Sequence, residues 1–176
     1  MTNYHSLTSP VDGRELGQWT DEPADRVERA YVQARRAARE LAELGSLRRC
    51  ELLDETADRL TEVTDDTLIS QLVLEHGKTV GEYRAEVLSA AHGLREAADY
   101  VRKIEPELLP MATPDTHAEV ERIGLGVIAA ITPWNFPINI PVEYTGPALA
   151  MGNSVIWKPA ESTPLASALL VKAVRL

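Results

Sequence analysis

Cysteine is almost missing from this 176-residue chain: Cys50 stands alone. An internal disulfide is thereby excluded, which fits a reducing compartment. Aromatic side chains are sparse at 5%, with one phenylalanine, and the first hundred residues hold few of them and no recognisable cluster of chemistry. Basic charge is in deficit, with 18 Lys and Arg against 27 Asp and Glu. No basic stripe is present to neutralise phosphates, so nucleic acid is not an expected partner. No apolar run is long enough to span a bilayer, and no membrane partner is expected. The opening MTNYHSLTSP has neither a basic start leading into an apolar core nor an Arg-rich transit pattern, so a cytoplasmic location is the expectation. His5, His76, His92 and His117 are scattered without metal-ligand spacing, which leaves no metal site to propose. Ser154 lacks the context of a nucleophile elbow. Internal repeats and low-complexity segments are absent.

What is present describes a folded chain. Hydrophobic residues make up 44% and charged residues 26%, an ordinary globular balance, and the length suffices for a domain with a buried core. Charge is unevenly placed: residues 1–123 carry 25 acidic and 15 basic side chains, residues 124–176 only 2 and 3. Three regions are expected: a helical amino-terminal region over 1–105, a linker with an edge strand over 106–123, and an apolar α/β region over 124–176.

From Val27, the apolar residues Ala30, Tyr31, Ala34, Ala37, Ala38, Leu41 and Ala42 recur at three- and four-residue steps, the mark of an amphipathic helix. Residues 20–25 supply its capping stretch and Gly45 its end. Ser46 is placed to cap a second helix that buries Leu47, Cys50, Leu53, Ala57 and Leu60, so Cys50 reads as a small core residue. A short helix after Asp65 and Asp66 should stop at Gly77, where a left-handed cap meets no Cβ clash. Thr79-Val80-Gly81-Glu82 fits a capping box and begins a helix with Val80, Tyr83, Val87, Ala90, Ala91, Leu94, Ala98 and Val101 turned inward. Pro106, Pro110 and Pro114 then break the helical pattern, and the alternation in THAEVERI suits an edge strand.

The pattern changes at Gly124. Residues 124–131 are continuously apolar, as in a parallel strand covered on both faces. A helical segment containing Pro141 and Pro147 ends at Gly152 and Asn153, residues 154–158 read as a second strand, and Thr163-Pro164 opens a last helix. The expected fold class is α/β: an amino-terminal helical layer plus the first βαβ(α) part of an incomplete Rossmann-like parallel sheet, because two parallel strands alone make a poor sheet. The unit lacks G-x-G-x-x-G. Gly124 and Gly126 precede the strand instead of following it, so they receive no phosphate-binding role.

Open α/β sheets bind ligands beyond the carboxyl ends of their strands. Beyond the first strand stands Thr132-Pro133-Trp134-Asn135-Phe136-Pro137, and beyond the second Lys158-Pro159-Ala160-Glu161. Pro133 and Pro137 fix their own φ and restrict the residue before them. Asn135 is then either an amide held toward a developing oxyanion or an asparagine that tolerates turn geometry. Lys158 and Glu161 are either a donor and an acceptor for ligand hydroxyls or a solvated pair at a helix entrance. An acid beside a ribose favours a free 2′-hydroxyl over a 2′-phosphate.

The run GLGVIAAITPWNFPINIPVEYTGPALAMGNSVIWKPAESTPLASALL resembles the aldehyde dehydrogenase superfamily through its P-W-N-F-P turn, its G-P-A-L-A-x-G-N helix end and its K-P-A-E strand end. Upstream, SPVDGRELGQW and LEHGKTVGEYRAEV resemble the family's amino-terminal segment and its E-x-G-K helix junction. The resemblance implies Asn135 as the catalytic amide that stabilises the tetrahedral thiohemiacetal. It implies Lys158 and Glu161 on the adenosine ribose, and Thr132 and Trp134, with Ile131 and Pro133 beside them, as cofactor-binding residues along the nicotinamide half of the cleft. NAD is the implied cofactor, with NADP the alternative, a small-molecule aldehyde the substrate, and a homo-oligomer the full-length assembly, residues 106–123 belonging to its oligomerisation region. Residues 124–176 become the truncated start of a dinucleotide-binding domain. Glu143 and Tyr144 stand where many members carry a lysine. The family's nucleophilic cysteine and general-base glutamate both fall beyond Leu176, and Cys50 maps to the helical layer. The expectation is an amino-terminal portion of an NAD(P)-dependent aldehyde dehydrogenase that is inactive alone. Alternatives are a noncatalytic protein pairing with full-length subunits and a dinucleotide-binding module.

Overall fold

Strands, not helix, come first among the described residues. The computed structural model describes residues 4–113 and 115–174. In it β1 (Tyr4–Thr8) and β2 (Glu15–Thr20) pair antiparallel. Gly13 at φ +76° and a hydrogen bond from the Ser9 N–H to the Arg14 carbonyl turn the chain between them. Leu7 is the only buried residue of the two strands, so the hairpin carries too little apolar alternation to be read from sequence.

Four helices follow: α1 (Ala24–Glu43), α2 (Ser46–Glu62), α3 (Asp66–His76) and α4 (Val80–Arg102). The last two end and begin where local chemistry requires. Asp65 accepts from the Leu68 N–H, Gly77 at φ +88° closes α3, and Thr79 and Glu82 form a reciprocal capping box on α4. Two expected caps are not used: α1 starts after Pro23 without a side-chain cap, and Ser46 lies inside α2, whose cap position is Gly45. Cys50, Leu53, Ala57, Leu60, Tyr83 and Leu94 are buried as expected, but Leu47 and Val80 are exposed. Both lie in the first turn of their helix. Tyr31 on α1 is half exposed as well.

β3 (Glu107–Leu109) and β4 (Ala118–Val120) form a short antiparallel ribbon, largely exposed along both strands. Pro114, one of the three prolines expected to break the helical pattern, lies outside the described residues. β5 (Val127–Ile131), α5 (Asn139–Ala150), β6 (Ser154–Lys158) and α6 (Pro164–Ala173) then give a βαβα unit with β5 and β6 parallel. The first strand is shorter than the apolar run because Gly126 takes φ +109°. It is not covered on both faces either: Ala130 is buried while Ile131 is 76% exposed.

The motif at the end of α5 has a structural reason. Asn153 donates from its side chain to the Ala148 carbonyl (3.0 Å) and accepts from the Gly126 N–H (2.9 Å), so one amide closes the helix and pins the start of β5. A Cβ on Gly124 would come within 2.7 Å of the Met151 carbonyl oxygen, which makes this glycine a packing requirement. Ser154 ties β6 to α1 through a hydrogen bond to the Ala34 carbonyl (2.7 Å). The main core lies among α2, α3, α4, α5 and α6, around Leu53, Leu72, Tyr83, Leu94, Ile138 and Leu169. Among the described residues, no helix is long and apolar enough to cross a membrane.

Candidate active site

The parallel register sets Ile131 opposite Lys158, so the two loops carrying the candidate residues leave the sheet side by side. Thr132 joins them. Its N–H donates to the Lys158 carbonyl (3.2 Å), and its hydroxyl oxygen accepts from the Trp157 indole N–H (2.9 Å). Thr132 is therefore buried and braces the strand ends. Pro133, Trp134 and Asn135 are exposed, and the Asn135 amide has no hydrogen-bond partner among the described residues.

That turn is held from the helical layer. His76 Nε2 lies 3.0 Å from the Trp134 carbonyl oxygen. Burial, reinforced by the nearby Lys78 ammonium, pushes the His76 pKa down, so the neutral ring donates its Nε2–H to that carbonyl. Lys78 Nζ lies 4.0 Å from the centre of the Phe136 ring and 2.5 Å from Glu86. Glu86, only 4% exposed, accepts from the N–H groups of Ile138 (2.8 Å) and Asn139 (3.1 Å) at the entry to α5. An unpaired carboxylate at that depth would be strongly disfavoured. Here one oxygen meets an ammonium and the other meets two N–H groups at a helix amino terminus, where negative charge is favoured.

Glu75 does the same for α6. It accepts from the N–H groups of Leu165 (2.5 Å) and Ala166 (3.0 Å). Burial raises its pKa to about 7 against the opposing effect of those two hydrogen bonds. Tyr83 is fully buried, and burial, followed by the Glu75 and Glu86 charges, pushes its phenol pKa up.

Lys158 and Glu161 are hydrogen-bonded to each other, both more than half exposed. The Lys158 ammonium holds the Glu161 carboxyl below its usual range. Glu161 and Trp134 line a cleft of about 670 Å³ together with Trp19, Glu75, His76 and Thr163. His76 Nδ1 and Thr163 Oγ1 are buried there without a hydrogen-bond partner among the described residues. Lys158 meets this cleft through Glu161. Ile131 and Pro133 stay on the exposed approach to the turn. A larger cavity of about 970 Å³, lined by Arg35, Arg39, Arg49 and Arg122, holds none of the candidate residues. Cys50 is fully buried, its thiol donates to the Ala98 carbonyl (3.3 Å), and burial raises its pKa. It is an inert core residue.

Glu75, His76, Lys78 and Glu86 escape the sequence reading as site residues. A signal for Glu86 exists: it lies between Tyr83 and Val87 on the inward face of α4, and a charge on an apolar face demands a partner.

The βαβα unit, with an exposed amide after its first strand and a Lys–Glu pair after its second, defines an α/β protein whose candidate residues stand at the carboxyl ends of two parallel strands. The chain belongs to the aldehyde dehydrogenase family, whose model matches residues 2–176. It is similar to vanillin dehydrogenase of Corynebacterium glutamicum, at 29% identity over 162 residues, which is 92% of this chain and 33% of that protein. Two solved structures superpose closely. PnpE from Pseudomonas sp. WBC-3, solved in complex with nicotinamide adenine dinucleotide, gives a TM-score of 0.90 at 32% identity, covering 98% of this chain and 35% of its own. NADP-dependent glyceraldehyde-3-phosphate dehydrogenase from Bacillus halodurans C-125, complexed with NADP, gives 0.89 at 28%, covering 98% and 37%. The chain spans about a third of the length of these relatives.

Proposed function

We propose that this chain supplies the oxyanion donor and part of the cofactor cleft for an NAD(P)-dependent oxidation of an aldehyde to a carboxylic acid. The observation that carries this reading is the exposed Asn135 amide, without a hydrogen-bond partner among the described residues, on a turn fixed at the ends of β5 and β6. When a nucleophile adds to an aldehyde, the carbonyl oxygen gains negative charge, and a preorganised amide N–H that meets it lowers the barrier by roughly 3–4 kcal/mol. The bound dinucleotide supplies the hydride acceptor. Lys158 donates to, and Glu161 accepts from, the hydroxyls of its ribose, and the Glu161 carboxylate disfavours a 2′-phosphate, so NAD is preferred over NADP.

Cys50 is the single thiol of these 176 residues and is buried, so the nucleophile of the family reaction comes from outside them. The chain alone is therefore expected to form no reduced cofactor when incubated with NAD or NADP and a panel of aldehydes; aldehyde-dependent reduction would falsify this assignment of parts. Calorimetry tests the cleft. NAD should bind more tightly than NADP, and Lys158→Ala should weaken NAD by about tenfold, the loss of one charge-assisted hydrogen bond. Equal affinity for both dinucleotides, or no heat with either, contradicts the ribose roles.

The open edge of β5 and the 76% exposure of Ile131 favour a second reading, in which the chain pairs noncatalytically with full-length family subunits. Co-elution with a full-length relative on size exclusion supports it, and separate elution removes it.

A further inference from the structure

We propose that His76, Lys78 and Glu86 form a clamp that positions Asn135, with Glu86 as its principal positioning residue. The two prolines do not account for the turn alone. Each fixes its own φ and biases one neighbour, which leaves Trp134 and Asn135 free to rotate. The clamp grips what the prolines miss. On one side of Asn135, His76 holds the Trp134 carbonyl (3.0 Å); on the other, the Lys78 ammonium lies over the Phe136 ring (4.0 Å). Three and four residues on, Glu86 holds the Ile138 and Asn139 N–H groups (2.8 and 3.1 Å). The three side chains come from the end of α3, the junction and the second turn of α4, and the Lys78–Glu86 pair (2.5 Å) locks two of them together. The pair is nearly sealed from water, with side-chain exposures of 13% and 1%, so solvent does little to screen it.

The inference rests on the reading of Asn135 as an oxyanion donor, but its test does not. In the ¹⁵N-labelled full chain, Glu86→Ala should speed hydrogen exchange at Ile138 and Asn139 by about tenfold or more, the equivalent of losing hydrogen bonds to a charged acceptor. Backbone order parameters at residues 134–136 should fall from about 0.85 to below about 0.6, with α2 and α4 unchanged. Glu86→Gln keeps one acceptor oxygen and should restore most of that order, which a general loss of packing would not allow. A turn as rigid in Glu86→Ala as in the parent overturns the clamp, as does loosening that Glu86→Gln leaves unrepaired. If Glu86→Ala fails to fold, Lys78→Met decides: disorder confined to residues 134–139 supports the clamp and a rigid turn refutes it. Cofactor calorimetry tests the functional reading separately, so a rigid clamp in a chain that binds no dinucleotide would sink that reading alone.

Discussion

Glu75 shows how far one buried side chain departs from its behaviour in water. Its carboxyl titrates near 7 because burial disfavours the charge more than the Leu165 and Ala166 N–H groups favour it. A raised acid pKa means that the native state holds a proton the unfolded state has released. This contribution to stability is fully present below about pH 4.5 and is lost as pH rises toward 7. His76 next to it is shifted downward and acts in the opposite sense, gaining stability as pH rises through the usual histidine range, so the two must be separated by substitution. Urea unfolding at pH 5 and pH 8 should show the parent losing on the order of 1–3 kcal/mol relative to Glu75→Gln across that interval. Parallel pH dependence in the two proteins would show that Glu75 is ionised throughout.

At the scale of the element, the α3–α4 junction concentrates the most local chemistry. Gly77 takes a left-handed φ of +88°, and Gly77→Ala should destabilise by about 1–2 kcal/mol from backbone strain, since the nearest foreign atom to an added Cβ is Pro10 Cγ at 3.7 Å. Thr79→Ala removes the capping box and should cost about 1 kcal/mol. Both are read from chemical-denaturation midpoints, and an unchanged midpoint would count against either. This junction was legible in the sequence because glycine, threonine and glutamate act within six consecutive residues. The βαβα unit was legible from its apolar runs, and so was the placement of Asn135, Lys158 and Glu161 in the loops that follow its two strands. The residues that hold those loops were not. Glu86 acts across 52 residues on Ile138, and Glu75 across 90 on Leu165, and no periodicity encodes such pairings. The β1–β2 hairpin and β3 were also hidden, because their residues are too exposed to alternate in hydrophobicity.

For the molecule as a whole, the helices share one buried core while the two-stranded sheet keeps an exposed end. Leu53, Leu60, Leu72 and Tyr83 have no solvent exposure at all, yet Ile131 at the end of β5 is 76% exposed, and Ile123 and Leu125 in the segment leading into β5 are 80% and 88% exposed. Among the described residues β5 pairs only with β6, so its outer edge presents unpaired N–H and C=O groups beside apolar side chains, a template for further strands. Two parallel strands are held here by α1 and α5 packing against them, not by sheet cooperativity. Association should therefore begin at the edge while the helical core stays intact. Sedimentation of the chain at concentrations rising to about 100 μM should show concentration-dependent self-association. Ile131→Lys, which places a charge at the exposed end of β5, should suppress it with little change in thermal midpoint, because that side chain is outside the packed core. A parent chain that sediments as a monomer throughout would show that the open edge is already protected by its own twist and short length.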